Sequence, residues 1–101
     1  MSTDIVESLS TFAYDEITVA AAAIGLTSNN VLASPPARKV IITIEDAQIR
    51  WRDDGTDPTA SVGRIANPTD TIVLNHGNRI SNFRAIRTGS TSATLNVDYL
   101  R

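Results

Sequence analysis

Asp53, Asp54 and Asp57 place three carboxylates within five residues, around Gly55. Oxygen-rich loops of this kind can hold Ca²⁺. A full calcium loop needs a Glu further on, and no acid stands between Asp57 and Asp70. The stretch therefore reads as an acidic turn closed by Gly55 and Pro58, and neither a metal nor a cofactor is expected. Paired-carboxylate glycoside hydrolysis is weaker still, because acids on one loop imply no cleft. His76 is the only histidine, and the chain has no Cys. It lies in Asn75-His76-Gly77-Asn78, a turn by composition, with no Gly-x-Ser-x-Gly elbow anywhere. No catalytic residue is expected, and the chain reads as a non-enzyme.

The arginines offer a second chemistry. Eight of the nine basic residues are Arg, and all nine lie after residue 37. The first 37 residues carry Asp4, Glu7, Asp15 and Glu16 and no base. Guanidinium forks suit carboxylates and backbone carbonyls at interfaces. Such a division can let the acidic third of one copy meet the Arg-bearing face of another. Arg50, Arg52, Arg84 and Arg87 project from strands and are the candidate partner contacts. Their plain alternative is a solvated sheet face, since exposed pairs contribute little. Nucleic acid is not expected: net charge is −2, and there are two Phe, two Tyr and one Trp. A stacking platform needs exposed aromatics in a basic groove. Trp51 and Phe83 sit at the apolar phase of their strands, which assigns both to the core. A sugar stacked on Trp51 is the rival use of that ring.

These groups need elements to hold them. The chain has 101 residues, enough for one domain with a modest core. It has no disulfide framework and no apolar run near the ~20 residues of a membrane span. No base precedes the first apolar residues, so no secretory signal is expected. Residues 1–15 read as a leading arm with apolar Ile5, Val6, Leu9 and Phe12, and those four are candidate partner contacts. Glu16–Thr27 holds β-branched Ile17, Thr18 and Val19 before its alanines, which favours a strand and leaves a helix as the alternative. Ser28–Ala37 is a loop with Pro35-Pro36. Lys39–Glu45 is the clearest strand, apolar on both faces and therefore central. Gln48–Arg52 follows after a bulge or corner at Asp46-Ala47. Thr59–Ile65 gives a short strand or bridge, and Asn67–Asp70 a turn. Thr71–Asn75 is a strand, His76-Gly77-Asn78 a hairpin signal, and Ile80–Thr88 the returning strand. Ala93–Tyr99 closes the domain. Seven to eight short antiparallel strands predict an all-β fold, a β-sandwich or jelly roll spanning 16–101.

Four runs carry a resemblance. They are Val40-Ile-Ile-Thr-Ile-Glu-Asp-Ala-Gln-Ile-Arg-Trp-Arg-Asp-Asp-Gly-Thr-Asp-Pro-Thr-Ala-Ser-Val-Gly, then Asp70-Thr-Ile-Val-Leu, then Ile80-Ser-Asn-Phe-Arg-Ala-Ile-Arg, then Ala93-Thr-Leu-Asn-Val-Asp-Tyr. Together they resemble small structural proteins of tailed bacteriophages over about residues 17–100. The resemblance implies a virion protein assembled in the host cytoplasm, of the capsid decoration or cement kind. Its partners would be the major capsid protein or other virion proteins, with no membrane involved. A homo-oligomer is expected, a trimer first. A head–tail connector, a tail component and a carbohydrate-binding adhesin-like module are the alternatives.

Overall fold

Burial at alternate positions marks the inner face of the first sheet. In the computed structural model, which describes residues 9–101, its strands are β1 (Thr11–Val19), β2 (Lys39–Glu45), β5 (Thr71–Leu74) and β7 (Ala93–Leu100). Their order is β1-β7-β2-β5, antiparallel throughout. A second sheet, ordered β4-β3-β6, holds β3 (Ile49–Arg52), β4 (Arg64–Ala66) and β6 (Arg84–Arg87). β7 shows why the first sheet has an inside. Ala93, Leu95, Val97 and Tyr99 are buried, while Thr94, Asn96, Asp98 and Leu100 between them are partly open. Val40, Ile42 and Ile44 of β2 face the same way. They meet Ile49 and Trp51 of β3 and Ala85 of β6 in one shared apolar core. The protein is thus mostly β, in two antiparallel sheets, as its turn spacing predicts.

Four local expectations change. β1 takes in Thr11–Asp15, which the sequence assigned to the arm, because its pairing with β7 runs back to Thr11↔Leu100. Beyond Val19 the alanine run continues as neither strand nor helix, apart from a bridge between Ile24 and Ala85. The loop after it contains one helical turn, α1 (Ser28–Val31). The largest correction concerns residues 77–82. They form helix α2 (Gly77–Asn82), not a hairpin turn and the start of a strand. The cause is the spacing of Ile80 and Phe83, both essentially fully buried. Side chains three apart share a helix face but lie on opposite faces of a strand. The Ile80 N–H bonds the His76 carbonyl at 2.9 Å, and the chain becomes extended again at Phe83.

Tyr99 ties α1 to the first sheet. Its hydroxyl accepts the Thr27 N–H at 3.2 Å and donates to Asp15 Oδ2 at 3.1 Å. Asn30 Nδ2 donates to the same oxygen at 3.2 Å. Burial pushes the Tyr99 phenol above its ordinary pKa of 10.0. The phenolate is therefore easier to form in the unfolded chain. The sign follows: Tyr99 contributes its full stability below about pH 10 and loses it as pH rises through the folded pKa. Thermal melts should fall across that alkaline window, and Tyr99→Phe should fall less steeply there. At neutral pH the same variant should cost about 1–3 kcal/mol, because it leaves the Thr27 N–H without its partner.

Candidate interaction surface

The acidic loop after β3 is bound to arginines of its own chain. Asp54 accepts two hydrogen bonds from Arg52, and its Oδ1 also takes the Thr56 N–H at 3.2 Å. The Arg52 bonds, then the Thr56 N–H, hold the Asp54 carboxyl below its ordinary range. Arg79 Nε donates to Asp53 Oδ2 at 2.6 Å, and Arg84 Nε lies 3.9 Å from Asp57 Oδ1. The three carboxylates thus diverge toward three guanidiniums. Gly55, at the loop's tip, has φ +87°, a backbone state that suits glycine and that the Asp-Asp-Gly-Thr turn called for.

The four arginines proposed as partner contacts all have intramolecular work. Arg50 Nη1 donates to the Gly63 carbonyl at 2.8 Å and Nε to the Ala60 carbonyl at 3.2 Å. It clamps the segment that brings the chain back into β4. Arg52 is held by Asp54. Arg84 Nη1 donates to the carbonyls of Phe83 at 2.7 Å and Ser81 at 3.2 Å, closing the exit of α2. Arg87 Nη1 donates to Ser92 Oγ at 3.2 Å, across the turn to β7. Of the arm residues, Ile5 and Val6 lie outside the described residues, and Leu9 is half-buried. Phe12 packs on the core, 6.4 Å from the Tyr99 ring, with the Arg101 guanidinium 4.1 Å from its centroid.

Trp51 is buried, as its strand phase predicts. Phe83 lies 5.7 Å from it, and the Arg64 guanidinium covers the ring at 5.6 Å. With Phe83 and Arg64 against it, the indole offers no open platform for a sugar.

A group of exposed apolar residues lies beside this ring. β4 is one edge of the second sheet, and β5 is one edge of the first. The Asn67–Asp70 turn joins them directly, so the two edges stand side by side. Val62 is 51% exposed, Ile65 49% and Val73 40%. These are three of the six exposed large hydrophobic residues among those described. Two clefts meet at Trp51. One, of about 310 Å³, runs between β4 and β5 and is lined by Ile65, Ala66, Asp70, Thr71, Ile72 and Val73. The other, of about 360 Å³, lies between the Asp53-Asp54 corner and Val62–Arg64. Arg64 lines the second cleft, covers the Trp51 ring and takes no carboxylate partner among the described residues.

Sequence reasoning missed Val62, Ile65, Val73, Arg64 and Arg79. The only signal for the first three was apolar residues in segments too short to show a period. No family model, curated protein or solved structure matches the chain.

Proposed function

We propose that this chain is a non-enzymatic structural protein of a tailed-bacteriophage particle, a capsid decoration or cement protein. In this reading its two sheets are the layers of a β-sandwich or jelly roll. It sits on the shell as a homo-oligomer, a trimer first, and bridges neighbouring capsid subunits. One observation carries the proposal: the adjoining open edges of β4 and β5, with Val62, Ile65 and Val73 exposed along them. Exposed apolar groups beside unpaired strand edges are adhesive. Arg52, Arg79 and Arg84, by contrast, face the aspartates of the acidic loop, and Arg50 bonds loop carbonyls. The resemblance supplies the particle. Its runs fall on β2–β3 and the acidic loop, on β5, on α2–β6 and on β7.

Immunogold labelling tests the reading, using serum against the purified chain on particles from the source culture. Label spread over the shell is the expected result. Label confined to the neck or tail would move the assignment to a connector or tail component. Unlabelled particles would overturn it.

A further inference from the structure

We propose that the pocket between α1 and α2 is a binding site for a short aliphatic carboxylate, with Arg84 as its anion anchor. The inference goes beyond the particle reading and does not require it.

The pocket has an apolar floor and one cationic wall. Its volume is about 280 Å³. Val31 of α1 and Ile80 of α2 are its buried base, and half-buried Leu26 adds a side. Leu32 stands at the rim, 73% exposed, more than any other large hydrophobic residue among those described. An aliphatic chain laid between these side chains would take apolar surface of both partners out of water. The volume lies at the small end for ligand pockets, which run from about 300 Å³ upward. It suits a ligand of about ten non-hydrogen atoms and is too small for the whole of a long-chain lipid.

Arg84 brings the charge. Its guanidinium packs on Gly25, where a Cβ would stand 2.7 Å from Nη1 and 3.2 Å from Cζ. A residue without a side chain leaves that space, so Gly25 is a steric requirement of the wall. The Ser81 and Phe83 carbonyls hold Nη1. Nη2 has no acceptor among the described residues. Its two N–H groups remain for a carboxylate oxygen, and a bond between two ionised groups is stronger than a neutral one.

The balance of charge favours an anion. Among the described residues that line the pocket, Arg84 is the only charged one. The opposing group nearby is Asp57, whose Oδ1 lies 3.9 Å from Arg84 Nε. Its side chain is 70% exposed, and a pair so open to water contributes little. The guanidinium selects a carboxylate over an amine, and the apolar floor selects an aliphatic tail over an inorganic anion.

Titration of the isotope-labelled chain with sodium octanoate, followed by amide chemical shifts, tests the site. Saturable shifts centred on Gly25, Val31, Ile80 and Ser81 are expected, with a Kd of about 0.1–1 mM. Hexanoate, two methylenes shorter, should bind about five- to ten-fold more weakly. Octylammonium, the same tail with the opposite charge, should leave these amides unmoved. Leu32→Glu alters an exposed rim residue, so the melting temperature should hold while octanoate affinity falls at least about ten-fold. Asp57→Asn removes the competing carboxylate and should tighten binding about two-fold. Arg84→Gln should abolish saturable binding, and if that variant fails to fold, Leu32→Glu and Asp57→Asn decide. Shifts that do not saturate by about 10 mM would overturn the proposal. So would an equal response to octylammonium, or an unchanged affinity in Leu32→Glu. Each of these results leaves the particle reading standing.

Discussion

Gly63→Ala is expected to destabilise the protein by about 2–4 kcal/mol. Two effects add. Gly63 has φ +135°, a backbone state that side chains seldom adopt. A Cβ there would also lie 3.1 Å from Pro58 Cβ, 3.2 Å from the Trp51 carbonyl oxygen and 3.3 Å from Arg50 Cβ. The carbonyl is backbone of β3, so it cannot swing aside. Relief must come from Gly63 itself, and that pulls its carbonyl from Arg50. The melting temperature should drop by roughly 10–25 °C for a domain of this size. Gly55→Ala is the matched control. Its φ is +87°, but a Cβ there meets nothing within 4 Å. It should cost only about 1 kcal/mol. Equal losses at the two glycines would show that crowding at Gly63 contributes nothing.

Phe83→Ala should cost more, about 3–5 kcal/mol, as for other large aromatic deletions in cores. Phe83 is fully buried and joins two devices. It ends α2, where its carbonyl takes the 2.7 Å bond from Arg84, and it packs its ring on Trp51. Trp51 is the only tryptophan, so its fluorescence reads this contact directly. The variant should show a red-shifted spectrum while still folded, along with the lower denaturation midpoint. Phe83→Leu should recover more than half of the loss by refilling the volume. An unchanged spectrum with a large stability loss would mean that the Trp51 environment does not depend on the Phe83 ring.

The strands that sequence shows best are those whose alternation is uninterrupted. β2, β3 and β7 each place buried residues at every second position, and their limits match the apolar pattern within a residue or two. The two-sheet character follows from their number and spacing. What was hidden depended on distant partners. Thr11–Asp15 is polar enough to read as a tail and is strand only because β7 lies beside it, with the Tyr14 hydroxyl donating to Asn96 Oδ1 at 2.7 Å. The helix at Gly77–Asn82 was masked by Gly77-Asn78, which serves a turn equally well. The interval from Ile80 to Phe83 was its one legible sign. The arginines were correctly seen as strand-borne, but their acceptors were not visible. Arg50 bonds carbonyls ten and thirteen residues onward, and a carbonyl leaves no mark in a side-chain pattern. The open edges were illegible for a similar reason. Whether a strand has one neighbour or two is a property of sheet order, and no local window contains it.

That sheet order also dictates a timetable for the nascent chain. β7 stands between β1 and β2, yet it is made after both. Until it has been synthesised, β1 has no described strand partner, and β2 can pair only with β5. Non-local pairings of this kind fold slowly, on the millisecond-to-second scale typical of β topologies. Meanwhile the Val40–Ile44 segment leaves one apolar edge unpaired during translation, a state that favours aggregation. Slower synthesis at lower temperature should therefore raise the soluble yield of the unaltered chain, by giving each copy time to close its own sheet before it meets another.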